Sequence, residues 1–155
     1  MAAGTWAIYA KAKKYIGNGT ITLGAGIFRM QLHRTSASAT IIVLSTRSTN
    51  ASIATEISAT GGYVTGGRTI GPATGKWTVG ASAKQYKFTY TTAGLIFTAS
   101  GAALTNVRYA LIRNSTGAGA GKVLCYVALS TAQFTVASGN TLTITPASGG
   151  VFTMA

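Results

Sequence analysis

The stretch RYALIRNSTGAGAGKVLCYVAL, Arg108 to Leu129, decides how the chain is read. Two dense apolar runs flank a glycine-alternating tip that ends in Gly121-Lys122, and Gly followed by Lys is how a phosphate-binding loop closes. Such a loop needs G-x-x-x-x-G-K-[ST], with a first glycine to open the turn and a final hydroxyl for magnesium. Counting back from Gly121 puts Thr116 at the first glycine, and Val123 stands at the hydroxyl. Both anchors fail. The second Gly-Lys, Gly75-Lys76, fails in the same way, with Ile70 and Trp77 at those places.

A phosphate loop also joins a strand to a helix. Here VRYALIR and KVLCYVAL are apolar on both faces, Val107, Tyr109 and Leu111 against Ala110 and Ile112, then Val123, Cys125 and Val127 against Leu124 and Tyr126. Strands buried on both sides read this way. The two runs are therefore expected as central strands, with NSTGAGAG as a flexible hairpin loop and Arg113 and Lys122 as cations at its base. The glycine tip, Gly117 to Gly121, is a candidate for reaching a neighbouring subunit.

Outward from this hairpin, strand signals recur at nearly regular spacing. IFRMQLHR alternates Phe28, Met30 and Leu32 with Arg29, Gln31 and His33, a strand with one dry and one wet face. His33 falls on the wet face and is expected as a surface histidine. ATIIVLS reads as a buried strand, NASIATEIS as a short strand or one helical turn, and GGYVTGGRTIGP as a strand bracketed by glycine turns. GKWTVG, KQYKFTYT, AGLIFTAS, AQFTVAS, TLTITP and GVFTM complete eight to ten short strands. One segment reads as a helix: TWAIYAKAKKYI, Thr5 to Ile16, with Trp6, Tyr9, Ala10 and Lys13 on one stripe, Thr5 as N-cap and Gly17 as the stop. The expected fold class is all-β, an antiparallel β-sandwich or jelly-roll-like arrangement with one short N-terminal helix. Without a linker or an internal repeat, residues 1–155 are expected to form a single domain.

Composition limits the chemistry. Of 155 residues, 47% are hydrophobic and only 9% charged, well below the quarter typical of soluble domains. The surface must be built mainly from Ser, Thr, Gly and Ala, which suits a protein packed into an assembly. Thirteen Lys and Arg stand against the single acid Glu56, a formal charge of +12. One carboxylate cannot neutralise them, so the cations are expected to face water or an anionic partner: nucleic acid, an anionic membrane or an acidic protein surface. There is no Asp, and the one Glu, one His and one Cys lie far apart in sequence. Paired-carboxylate hydrolysis needs two acids, a nucleophile elbow is missing, and neither a disulfide nor a thiolate zinc site can be built on Cys125 alone. No enzyme activity, cofactor or metal is expected. Cys125 reads as a buried small hydrophobe. The N-terminus places its lysines after the apolar residues, the reverse of a secretory leader, and no run reaches the length of a membrane span.

Two clusters mix cations with aromatics, YAKAKKY near the N-terminus and KQYKFTY at Lys84 to Tyr90. They would make a single-strand nucleic-acid platform, unless Phe88 faces the core and Lys84 and Lys87 guard a strand edge.

The succession AKAKKYIGNGTITL, IFRMQLHR, EISATGGYVTGGRTI, a tryptophan strand, FTASGAALTNVRYALIRN, LCYVALS and GNTLTITPASGGVFTMA resembles a group of small virion structural proteins of tailed bacteriophages. The match runs over nearly the whole chain and includes the G-Y-x-T-G-G turn at Gly62 to Gly67, although this chain carries fewer acids than members of that group. The resemblance implies a β-rich capsid decoration (cement) or tail-associated protein without enzymatic activity. It would be made in the host cytoplasm and carried on the capsid surface of the virion. Its partners would be the major capsid protein and neighbouring copies of itself, in a homo-oligomer on the particle, without a membrane. The candidate partner-contacting residues are Lys11, Lys13, Lys14, Arg113 and Lys122. The alternatives are a tail or fibre protein that stacks Trp6 or Trp77 on sugar rings, and a basic nucleic-acid-binding protein.

Overall fold

The computed structural model describes residues 4–34, 49, 51, 53, 55–70, 77–80, 84–91 and 93–154. Within them the chain is mostly β, with antiparallel sheets and one short N-terminal helix. The opening pair of apolar runs forms the middle of the largest sheet. β8 (Tyr109–Asn114) and β9 (Val123–Ala128) are neighbours in a five-stranded sheet ordered β1-β9-β8-β2-β3, where β1 is Ala7–Ile8, β2 is Phe28–His33 and β3 is Arg68–Thr69. Their register pairs Tyr109 with Ala128 and Ile112 with Cys125, then slips at Arg113, which meets Val123. Leu111, Ile112, Val123, Leu124 and Cys125 are fully buried, as the two-faced apolar pattern requires.

The remaining strands make three smaller sheets. β7 (Leu104–Val107) pairs with β10 (Phe134–Val136), and β6 (Leu95–Thr98) pairs with β11 (Thr141–Ile144). β4 (Trp77–Val79), β5 (Tyr86–Phe88) and β12 (Phe152–Met154) form a sheet with β5 in the middle. This last sheet meets the large one through aromatic rings. Phe28 on β2 lies edge-on to Phe88 at 5.0 Å, and Phe88 stacks on Phe152 at 5.3 Å. Such contacts add to the area term that dominates core burial.

Several expectations change here. The helix α1 spans only Ala10–Gly17, and its N-cap is Tyr9, not Thr5. Ala7 and Ile8 are drawn into the sheet edge opposite Tyr126 and Cys125, and the Tyr9 amide donates to the Leu124 carbonyl at 3.1 Å. The helix can begin only after those bonds are made. Gly61 to Gly67 is a turn, and only Arg68 and Thr69 pair as a strand. Lys87 is on the central strand of its sheet, so it guards no edge. The strand expected at 39–45 lies outside the described residues.

The largest correction concerns β2. Its strand and its dry face are as expected, but its polar face is covered as well: Gln31 and His33 are both 0% exposed. The segment at 55–57 runs along β2, with Arg34 N donating to Thr55 O at 2.8 Å and Ile57 N to Leu32 O at 3.0 Å. The segment thus pairs beside β2 at the His33–Glu56 bridge, and its side chains reach the polar face, Thr55 to His33 and Glu56 to Gln31; alternation identified the strand but could not show this neighbour.

Candidate functional site

Four of the five candidate cations come together. Lys11, Lys13 and Lys14 project from α1 and are all exposed. Lys14 sits in the last turn, where the helix dipole favours a positive charge. Lys122, at the end of the hairpin loop, folds back so that its Nζ lies 5.1 Å from the centroid of the Tyr15 ring on α1. A cation over a tyrosine face is held electrostatically by the ring quadrupole. Two segments far apart in sequence thus gather four cations on and beside one short helix, although Lys11 and Lys13 point to different sides of it.

Arg113 is not part of that group. It is half-buried on β8, and Nη2 reaches the Gly66 carbonyl at 3.5 Å. Burial, and then the neighbouring positive charge of Arg29, push its guanidinium below the usual arginine range. The expectation that every cation faces water or an outside anion therefore fails at Arg29 and Arg113. Backbone carbonyls of the Gly66-Gly67 turn supply what carboxylates do not. Arg29 Nε donates to Gly66 O at 3.0 Å, and its Nη2 donates to Gly67 O.

The same turn encloses the sole acid. Glu56 Oε1 accepts from the Tyr63 hydroxyl at 2.6 Å and from the Gly66 amide at 2.7 Å, while Oε2 accepts from Gln31 Nε2 at 2.9 Å. The Tyr63 hydroxyl in turn accepts from Leu32 N at 3.1 Å. Burial, reinforced by the carboxylate beside it, pushes the Tyr63 phenol well above its ordinary range. Gly67 makes the turn possible. Its φ is +73°, and a Cβ there would lie 1.9 Å from the Met30 carbonyl oxygen. Sequence reading missed this cluster, although the one acid standing a short way before G-Y-x-T-G-G was a signal that could have found it.

His33 is enclosed, with Nδ1 3.1 Å from Thr55 Oγ1 and no hydrogen-bond partner for Nε2 among the described residues. Desolvation by burial lowers its pKa from 6.5 to about 4, so at neutral pH it is a neutral imidazole closed to solvent. Cys125 is fully buried and its thiol is pushed up by desolvation, the opposite of what a reactive thiolate needs. Among the described residues no group of three His, Cys, Asp or Glu could hold a metal ion, and no helix is long and apolar enough to cross a membrane.

The hairpin tip is held as well as turned. Ser115 N donates to Ile27 O at 2.8 Å, Ile27 N to Thr116 Oγ1 at 3.0 Å, and Gly121 N to Asn114 O at 2.9 Å. Gly119 is buried, where a Cβ would meet Asn114 Nδ2 at 2.4 Å and Thr20 O at 2.6 Å. The flexible loop expected from its glycines is a short structured turn fastened to residues 20–27. Trp77, a candidate for sugar stacking, is half-buried and already stacked on Tyr86 at 5.7 Å. Trp6 is also half-buried.

With this geometry in hand, comparison with protein-family models, curated proteins and solved structures finds no match to the chain.

Proposed function

We propose that the protein is a bacteriophage virion structural protein that decorates and cements the assembled head. The observation that carries this reading is the concentration of Lys11, Lys13 and Lys14 on one short helix with Lys122 held beside it, in a chain whose only acidic side chain is bound within an internal turn. A lysine cluster without compensating carboxylates favours an anionic surface from outside. An acidic shell exterior would steer the protein to it and fix its orientation. Apolar and strand-edge contacts with the major capsid protein and with neighbouring copies would then hold it there. Because it would bind the assembled shell and not free subunits, it would stabilise that shell by mass action. The sequence resemblance supports the same reading, with the protein on the capsid surface and without catalytic activity. The aromatic contact between the large sheet and the β4–β5–β12 sheet is compatible with a sandwich or jelly-roll-like arrangement, which we include in the proposal.

Co-sedimentation with expanded empty capsids is the test. The wild-type protein pellets with shells and is released as salt screens the charges. The triple variant Lys11→Gln, Lys13→Gln, Lys14→Gln remains folded, since all three side chains are exposed, and loses at least about tenfold in affinity, with a shallower salt dependence. Co-sedimentation with naked DNA and not with shells would replace this reading with nucleic-acid binding. Density below the portal and none on the shell in micrographs of labelled virions would replace it with a tail location.

A further inference from the structure

A second cationic feature lies away from α1. Between β3 and β6 runs a cleft of about 440 Å³, lined by Arg29 and Arg68 on one side and by Phe97 and Leu104 below, with Val64 among its walls. Val64 is 66% exposed, one of the few large apolar side chains to stand out of the molecule. Both strands bordering the cleft lie at sheet edges. β3 is the outermost strand of the five-stranded sheet, and β6 has β11 on one side only among the described residues.

The hydrogen-bond phase of β6 says which groups face the cleft. Ala99 N donates to Asn140 O at 2.9 Å, and the register pairs Phe97 with Leu142. Bonds alternate along an antiparallel pair, so Phe97 and Ala99 turn their backbone groups to β11 while Ile96 turns its groups the other way. The Ile96 carbonyl is met there by Arg68 Nη1. The guanidinium of Arg68 thus lies across a strand edge, anchored at one nitrogen. Arg29 is anchored by Gly66 O and Gly67 O. A planar guanidinium fork suits a carboxylate. The acid of this chain cannot supply one, because Glu56 is bound by Tyr63, Gly66 and Gln31.

We propose that this cleft is a docking site for an extended peptide segment of a partner protein, entered by an Asp or Glu side chain. Arg68 and Arg29 take the carboxylate. The segment runs along the β3 edge, the outer edge of β6 being taken by Arg68 at Ile96 O and by Gly61 O at Ser100 N, and because alternate residues of an extended chain share a face, the side chain two positions away lies on Val64. Apolar contact and ion pairing are then used together, as at other peptide-binding sheet edges. The site goes beyond the lysine cluster of α1 and stands or falls independently of attachment to a shell.

The probe is a capped, fluorescein-labelled nonapeptide with threonine at every odd position and valine and glutamate taking turns at the even ones, so that a valine lies two positions from each glutamate, compared with its glutamine counterpart by fluorescence anisotropy at low ionic strength. The glutamate peptide is expected to bind at least about tenfold tighter, and the advantage shrinks as salt is added. Arg68→Ala should lose about tenfold for the glutamate peptide. Val64→Asp provides a second arm that does not disturb the Arg68 contact to Ile96, and it should lose at least as much by repelling the incoming carboxylate. The α1 triple lysine variant should bind the peptide like the wild type. Equal binding of the two peptides, undiminished binding to Val64→Asp, or a lysine variant as weak as Arg68→Ala would each overturn the proposal. So would tripolyphosphate binding that depends on Arg68 while the glutamate peptide does not bind.

Discussion

Two glycine-rich turns in this molecule look alike in composition and do different things. Gly61 to Gly67 and Gly117 to Gly121 both use left-handed glycines and both close on a basic residue, Arg68 and Lys122. The second turn reverses the chain between two central strands and delivers Lys122 to Tyr15, and it is held by backbone bonds, threonine and serine hydroxyls and the Asn114 side-chain oxygen. The first organises side-chain chemistry. It wraps the sole carboxylate, offers carbonyls to Arg29 and Arg113, and leads into the cleft-lining Arg68. A glycine pattern alone therefore does not distinguish a hairpin tip from a site. What distinguishes them is how closely other backbone approaches each glycine.

The sharpest way to break the equivalence is Gly67→Ala. The new methyl would fall 1.9 Å from the Met30 carbonyl oxygen, at a φ of +73° that disfavours any L side chain. Met30 is on β2 in the five-stranded sheet, so the obstacle is backbone that cannot swing aside. The expected loss is roughly 4 kcal/mol or more, from overpacking and left-handed strain together. Urea unfolding should show it as a midpoint shift with unchanged slope. A loss under about 1 kcal/mol would mean that the turn can move away from β2.

Glu56 gives the next effect. Glu56→Ala leaves the Tyr63 hydroxyl, the Gly66 amide and Gln31 Nε2 without their acceptor. Stranding such donors costs about 3 kcal/mol in total. Glu56→Gln keeps one acceptor oxygen for Tyr63 and Gly66, and its new N–H group can meet the Gln31 oxygen, which has no partner, once that amide turns over. It should cost only about 1 kcal/mol. Comparable losses for the two variants would locate the stabilisation in the negative charge and not in the hydrogen bonds.

The legibility of the fold follows from the same distinction between local pattern and approach from outside. β8 and β9 were readable because apolar residues on both faces of two adjacent runs have few other uses. β2 was readable as a strand because alternation is a local property. Its burial was not, since Gln31 and His33 are met by the Glu56 and Thr55 side chains of a segment more than twenty residues away that pairs beside β2. The helix began late because Ala7 and Ile8, apolar enough for either state, gained more from pairing with β9 than from another turn of α1. Of the helix, the stripe expected through Trp6, Tyr9, Ala10 and Lys13 does not hold, since Ala10 and Lys13 are exposed and Ala12 is the buried residue: with the helix starting at Ala10, a different side turns inward. The turning of Arg113 toward Gly66 was not readable either, because carbonyl acceptors carry no signature in a side-chain sequence.

His33 offers a pH test of the covered face of β2, beside Glu56 in an isolated antiparallel bridge. Its pKa is 6.5 when exposed and about 4 in the fold. The unfolded chain therefore takes up a proton below about pH 6.5 that the folded chain refuses until about pH 4, so its contribution is fully present above that range and lost as pH falls. The loss should reach roughly 3 kcal/mol by pH 4. Few other groups intervene, because the chain has one imidazole and one acidic side chain. Urea midpoints that stay level between pH 7 and pH 4 would mean that water reaches the imidazole.

The smallest expected effect belongs to the other turn. Gly121 has a φ of +75°, close to that of Gly67, yet among the described residues no atom outside its chain neighbours would come within 4 Å of a Cβ built on it. Gly121→Ala therefore isolates the cost of left-handed backbone, about 1 kcal/mol, from the overpacking that Gly67→Ala adds. Gly119 separates the two contributions from the opposite direction, since its methyl would meet Asn114 Nδ2 and Thr20 O without a left-handed φ. Gly119→Ala should fall between them, at about 2 kcal/mol, with the Asn114 amide giving way more readily than the Thr20 carbonyl. If Gly121→Ala instead costs as much as Gly67→Ala, left-handed strain alone sets the sensitivity of both turns, and backbone approach is not what makes one of them a site.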